Sequence, residues 1–105
     1  MKLPRRHRIG PYNYKLIPRK APTEESVGSC EPRISRIQVN KELSGRFLLV
    51  TIIHEDLHAA FDAIGRQDLY TDEALVDSLA GVLTGLLLDS PNYLEFLMEI
   101  RDEHK

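Results

Sequence analysis

The run His54-Glu55-Asp56-Leu57-His58 holds the residues best suited to chemistry in this 105-residue chain. On a helix, a four-residue step brings two imidazoles onto one face, one turn apart, where both can grip a single ion. Glu55 projects beside them, where its carboxylate can take a proton from a water whose acidity the ion has raised. Zn2+ is the ion this pairing implies. The helical setting is present as well. Leu49, Ile52, Ile53, Leu57, Ala60, Phe61 and Ile64 recur at three- and four-residue steps, and Gly65 follows as a stop. The spacing predicts one long helix over 43–64, with the histidines near its middle and the small Ala59 and Ala60 permitting close packing just beyond.

Two histidines leave a zinc ion short of protein ligands, and the remaining sequence narrows the third. Metzincins continue with a glycine three residues and a histidine six residues after the second His, but those positions hold Phe61 and Ile64. Small endoribonucleases with a His-xxx-His-xxxxx-His run also need a histidine at position 64 and have no glutamate between their first two. His104, which a third-histidine site of the SprT type would have to use, lies in a fraying charged end. His7 has no spacing relation to the other histidines. A carboxylate remains. Thr71 reads as the N-cap of a further helix, with Asp72 and Glu73 in its first turn and apolar residues over 75–88. This helix presents Glu73 and Asp77 one turn apart, and Ala80, Gly81 and Thr84 continue that face with side chains small enough for two backbones to approach.

The pattern Glu73-Ala74-Leu75-Val76-Asp77 after the first helix resembles the gluzincin metallopeptidases. There the second helix supplies a glutamate ligand and, four residues later, an aspartate that holds a ligand histidine. The resemblance implies zinc held by His54, His58 and Glu73, Glu55 as catalytic base, and Asp77 orienting an imidazole. Tyr70, just ahead of the ligand-bearing helix, is the tyrosine best placed to offer a hydroxyl to an oxyanion. Over residues 34–88 the chain is similar to small metallopeptidase domains of the ImmA/IrrE type and to short phage and prophage proteins of like layout. In these a strand precedes the His-Glu-x-x-His helix and an acid-started helix follows. Two features depart from that pattern: Asp56 stands where an aliphatic residue is usual, putting a charge beside the catalytic face, and the linker from His58 to Glu73 is short. The activity implied is hydrolysis of a peptide or protein substrate. The rival of another class is a zinc-stabilised binding protein without catalysis, holding a host protein or nucleic acid through a basic arm.

The elements that must position these residues follow from the same patterns. Tyr12, Tyr14 and Leu16 alternate with Asn13 and Lys15, predicting a strand over 12–17 that Pro18 closes. A loop is expected over 18–32 and a second strand over 34–39, where Ile34 breaks the alternation through a bulge or through burial on both faces. That strand is expected to offer an open edge to an extended peptide. Ser90 and Pro91 read as cap and first position of a third helix. The architecture predicted is α+β, a small antiparallel sheet packed on about three helices in a minimal zincin-like domain over 11–105, after a loosely held basic arm over 1–10.

Composition sets the bounds. At 12.0 kDa the chain has material for one hydrophobic core, and 42% hydrophobic with 29% charged residues is the balance of a globular domain. Its apolar runs fall well short of the roughly 20 residues that span a bilayer, and no apolar stretch follows the basic start, so neither a membrane partner nor a secretory leader is expected. Cys30 alone can form no internal disulfide, and as a lone loop cysteine it is assigned no role. A cytoplasmic location is expected, that of the host cell if the chain is phage-encoded. The net charge of −2 conceals an imbalance, because residues 1–20 hold seven Lys or Arg and no acid, while the remainder holds seven against all sixteen acids. Such an arm can bind phosphate backbones, dock on the acidic body or simply be solvated, and no strong nucleic-acid binding by it is expected.

Overall fold

The computed structural model describes residues 2–20 and 27–104. Four strands come first: β1 (Arg6–Ile9), β2 (Tyr12–Arg19), β3 (Gly28–Glu31) and β4 (Arg36–Asn40). Four helices follow: α1 (Gly45–Ala63), the single turn α2 (Gln67–Tyr70), α3 (Glu73–Asp89) and α4 (Tyr93–His104). Strands grouped ahead of helices make an α+β fold, as the patterning predicts. The strands form one sheet in the order β1-β2-β4-β3. Tyr14 and Leu16 from β2, Ile37 and Val39 from β4 and Ile9 from β1 are buried with Ala59 of α1, so the alternation in β2 does mark a core face.

The sheet is mixed rather than wholly antiparallel. β1 pairs with β2 and β3 with β4 in antiparallel fashion, but β2 and β4 run parallel, with Leu16 beside Ile37 and Pro18 beside Val39. The cause is β3, a strand lying inside the expected loop. It occupies the edge, and the chain then turns back and inserts β4 between β3 and β2. Residues 21–26 of that expected loop lie outside the described residues. β4 is therefore central, hydrogen-bonded on both sides, and Ile37, Gln38 and Val39 are all buried. It has no open edge for a peptide; that edge belongs to β3.

Ile34 breaks the alternation because it precedes the strand. It ends a 3₁₀ turn, Pro32–Ile34, whose following residue Ser35 has φ 48° and returns its N–H to the Pro32 carbonyl. Neither a bulge nor two-sided burial explains it, since Ile34 is exposed. The expected loose arm is also shorter than its charge suggests. Residues 6–9 are strand β1, with Arg6 opposite Lys15 and Ile9 opposite Tyr12, and His7 Nε2 lies 2.5 Å from Asp56 Oδ1 on α1. Alternation of Arg6, His7, Arg8 and Ile9 is hidden in sequence because three of the four are basic or titratable.

Two helix starts differ from expectation for local reasons. Asp72, not Thr71, caps α3, its carboxylate accepting from the Leu75 N–H at 3.1 Å, while the Thr71 hydroxyl donates back to Gln67 of α2. α4 begins at Tyr93 rather than at Pro91, after a turn in which Asn92 takes φ 64°. The stop of α1 is as expected, Gly65 adopting φ 75° just past the helix end. No single helix among the described residues is long and apolar enough to cross a membrane.

Candidate metal centre

On α1, Thr51, Glu55, His58 and Ala59 are buried, a stripe set by the three- and four-residue repeat that turns toward the sheet. His54 sits at the rim of this stripe. α3 packs against α1 through Val76, Ala80 and Thr84, all nearly inaccessible. The small Ala80 and Thr84 allow that approach, and Thr84 satisfies its hydroxyl on the Ala80 carbonyl at 2.7 Å. The same face carried one turn toward the start of α3 sets Asp77 and Glu73 over the two histidines.

The donor atoms converge. His54 Nε2 and His58 Nε2 are 3.2 Å apart; one carboxylate oxygen of Glu73 lies 3.2 Å from the first and the other 2.9 Å from the second. The opposite nitrogens are engaged. His58 Nδ1 is 2.7 Å from the Tyr70 carbonyl oxygen, and His54 Nδ1 is 2.8 Å from Asp77 Oδ1. A carbonyl only accepts, so Nδ1 of His58 carries the hydrogen and donates it; the carboxylate of Asp77 takes the corresponding hydrogen from His54. Both Nε2 atoms are thereby directed at one another and at the Glu73 carboxylate, the side from which an imidazole held at Nδ1 binds a metal, and a cation placed among the three would be held by all of them.

The residues fit zinc on this ground. A tetrahedral ion with bonds of about 2.0–2.1 Å separates its ligand atoms by about 3.3 Å, close to the spacings here, and a site of two imidazoles and one carboxylate keeps a fourth position open. Among the described residues these three form the one group whose ligand atoms lie within 4.8 Å of one another. The set expected from the sequence, His54, His58 and Glu73, is thus brought together, with Asp77 on the outer nitrogen of His54.

Glu55 borders the same cleft, an opening of about 450 Å³ lined also by Gly28, Ser29 and Cys30 of β3, by Tyr70 and Thr71, and by Glu73. The residue is only 6% exposed. Burial, followed by the negative charges of Glu73, Asp56 and Asp77, pushes its pKa up to about 7. A carboxylate so poised can exchange protons near neutrality.

Other sequence candidates divide. Tyr70 reaches the site, but the contact that engages it is its main-chain carbonyl on His58, with its ring edge-on to the imidazole at 5.2 Å between centroids. Asp56, expected to charge the catalytic face, turns instead to His7, where it ties α1 to β1 and raises the imidazole pKa mainly through their hydrogen bond. Cys30 lines the cleft, yet burial pushes its thiol up to about 12 and keeps it neutral. Sequence reasoning missed the β3 residues and the Tyr70 carbonyl. A main-chain oxygen leaves no trace in residue type; for β3 the available signal was the Glu31 and Arg36 pair across Pro32, which forms a two-bond ion pair at 3.0 and 2.9 Å. Comparison with protein-family profiles, curated proteins and solved structures finds no match to this chain.

Proposed function

We propose that this protein is a zinc-dependent peptidase whose metal is held by His54, His58 and Glu73. The observation that carries the reading is the convergence of these three acceptors beside a buried carboxylate, Glu55, in one open cleft. Zinc, when bound, supplies a Lewis acid for a carbonyl and raises the acidity of water. Glu55 accepts the proton of the attacking water and returns it to the departing amine, a task suited to a carboxyl that borders the cleft beside the two histidines. The Tyr70 carbonyl and Asp77 each hold one imidazole by its Nδ1 hydrogen, which fixes the ring and keeps Nε2 free to bind metal. What supports a peptide as substrate is β3, an edge strand along the cleft that can add an extended chain through main-chain hydrogen bonds.

The test is cleavage of a mixed peptide library by zinc-loaded protein, read by mass spectrometry, beside Glu55→Gln. The wild type is expected to cleave, and the variant to retain zinc while losing activity by about 100- to 10,000-fold, the usual contribution of a positioned base. Equal cleavage by the two proteins would remove Glu55 as the base and sink the mechanism, and intact peptides with fully loaded wild type would sink the reading and favour a zinc-stabilised binding protein.

A further inference from the structure

The sheet has a second face, turned away from the helices, and its composition follows from register. Tyr14, Leu16, Ile37 and Val39 fill the core, so the alternate positions of the same strands point outward. Arg6 stands opposite Lys15, and Lys15 stands beside Arg36, which places three cations in a row across three adjacent strands. Arg8 lies two positions along β1 and Arg19 four positions along β2, on the same face. Like charges directly opposite in a sheet cost stability. Glu31 relieves Arg36, but among the described residues neither Arg6 nor Lys15 has an anionic partner. An external anion laid along this row would relieve that cost.

The chemistry of the face selects the partner. Its one large apolar side chain is Ile17, half-buried, so it has neither the apolar centre of a protein interface nor a wedge to insert into lipid. Glu31 takes the fork of Arg36, and three of the other four cations are arginines, whose planar forks match phosphate oxygens. We propose that the outer face of this sheet, through Arg6, Arg8, Lys15 and Arg19, binds the phosphate backbone of nucleic acid without reading sequence. The metal cleft lies on the helix side, between β3 and α1, so a strand laid over the outer face leaves it open. The interaction does not depend on the peptidase reading.

The test uses the full chain and a fluorescein-labelled single-stranded DNA of about 20 nucleotides, with anisotropy followed from about 20 to 200 mM salt. Binding is expected at low salt, with a steep negative slope against salt. Arg6→Glu with Lys15→Glu should weaken it at least about tenfold and reduce the log–log slope by about 1.4, about 0.7 for each phosphate contact removed from a single strand. Arg8→Ala with Arg19→Ala should weaken it through a separate pair of surface positions, and Arg101→Glu, on α4, should leave it unchanged. Circular dichroism checks that each variant is folded. No binding at low salt, equal loss in Arg101→Glu, or capture by phosphatidylserine vesicles in preference to DNA would overturn the proposal.

Discussion

Asp77 and Glu73 stand one turn apart on the same helix, yet they meet the histidines differently, and the difference predicts unequal losses. Glu73 faces both Nε2 atoms, whereas Asp77 touches His54 only at Nδ1. With the proposed ligand set, Glu73→Ala would remove a bond to the ion and should nearly abolish zinc retention. Asp77→Asn should keep the ion with affinity lowered about 10- to 100-fold, as when a hydrogen bond behind a ligand is lost. Competition titration with a chromophoric chelator measures both; the reverse order would exchange the two roles. Glu55 makes a prediction of its own in zinc-free protein. Its folded pKa of about 7 lies above the ordinary 4.5, so the native state holds a proton that the unfolded chain releases. The stability this confers is complete below pH 4.5 and is lost as pH rises toward 7, by about 3 kcal/mol at most. Urea melts of Glu55→Gln across that range should show this slope removed.

The proposed metal site depends on two helices and one short strand. The helices could be read from the sequence because their signals are local: the histidine spacing on α1, the Gly65 stop, and the acid-started α3 with its small-residue face. β3 could not be read from pattern, because Gly28, Ser29, Cys30 and Glu31 have no apolar alternation; the strand exists by pairing with β4, of which the Glu31 and Arg36 pair is the one trace in residue type. The same holds for β1, whose place is set by pairing with β2 and by His7 meeting Asp56, 49 residues away. Gly28 shows how closely β3 is fitted to α1. A Cβ there would come within 3.0 Å of Thr51 Cγ2, 3.1 Å of the Glu55 carboxylate and 3.2 Å of the Gln38 carbonyl. Gly28→Ala should therefore force strand and helix apart, with a loss of about 1–3 kcal/mol. Equilibrium urea unfolding checks this, and an unchanged midpoint would mean that the interface yields freely.

Over the whole molecule, charge is segregated by the fold. The basic segment supplies most of the outer face of the sheet, while most of the acids lie in the helical half. Glu55, Glu73 and Asp77 lie within or near the candidate metal cleft, and their mutual repulsion is what a bound cation would relieve. Zinc should therefore stabilise the entire domain, because binding to the native state alone adds about 2.7 kcal/mol when free metal exceeds its dissociation constant a hundredfold. For a chain of this size that corresponds to a melting temperature raised by about ten degrees or more, and calorimetry before and after chelation should record it. An identical transition in protein verified as metal-free would show that folding is indifferent to the site.

The account stands or falls on an ion held between α1 and α3. The most direct measurement is the zinc content of protein equilibrated with zinc and freed of excess, for the wild type and for His54→Ala with His58→Ala. About one zinc per chain in the wild type and none in the double variant is the predicted result. Stoichiometric zinc in the double variant, or none in the wild type, would contradict it.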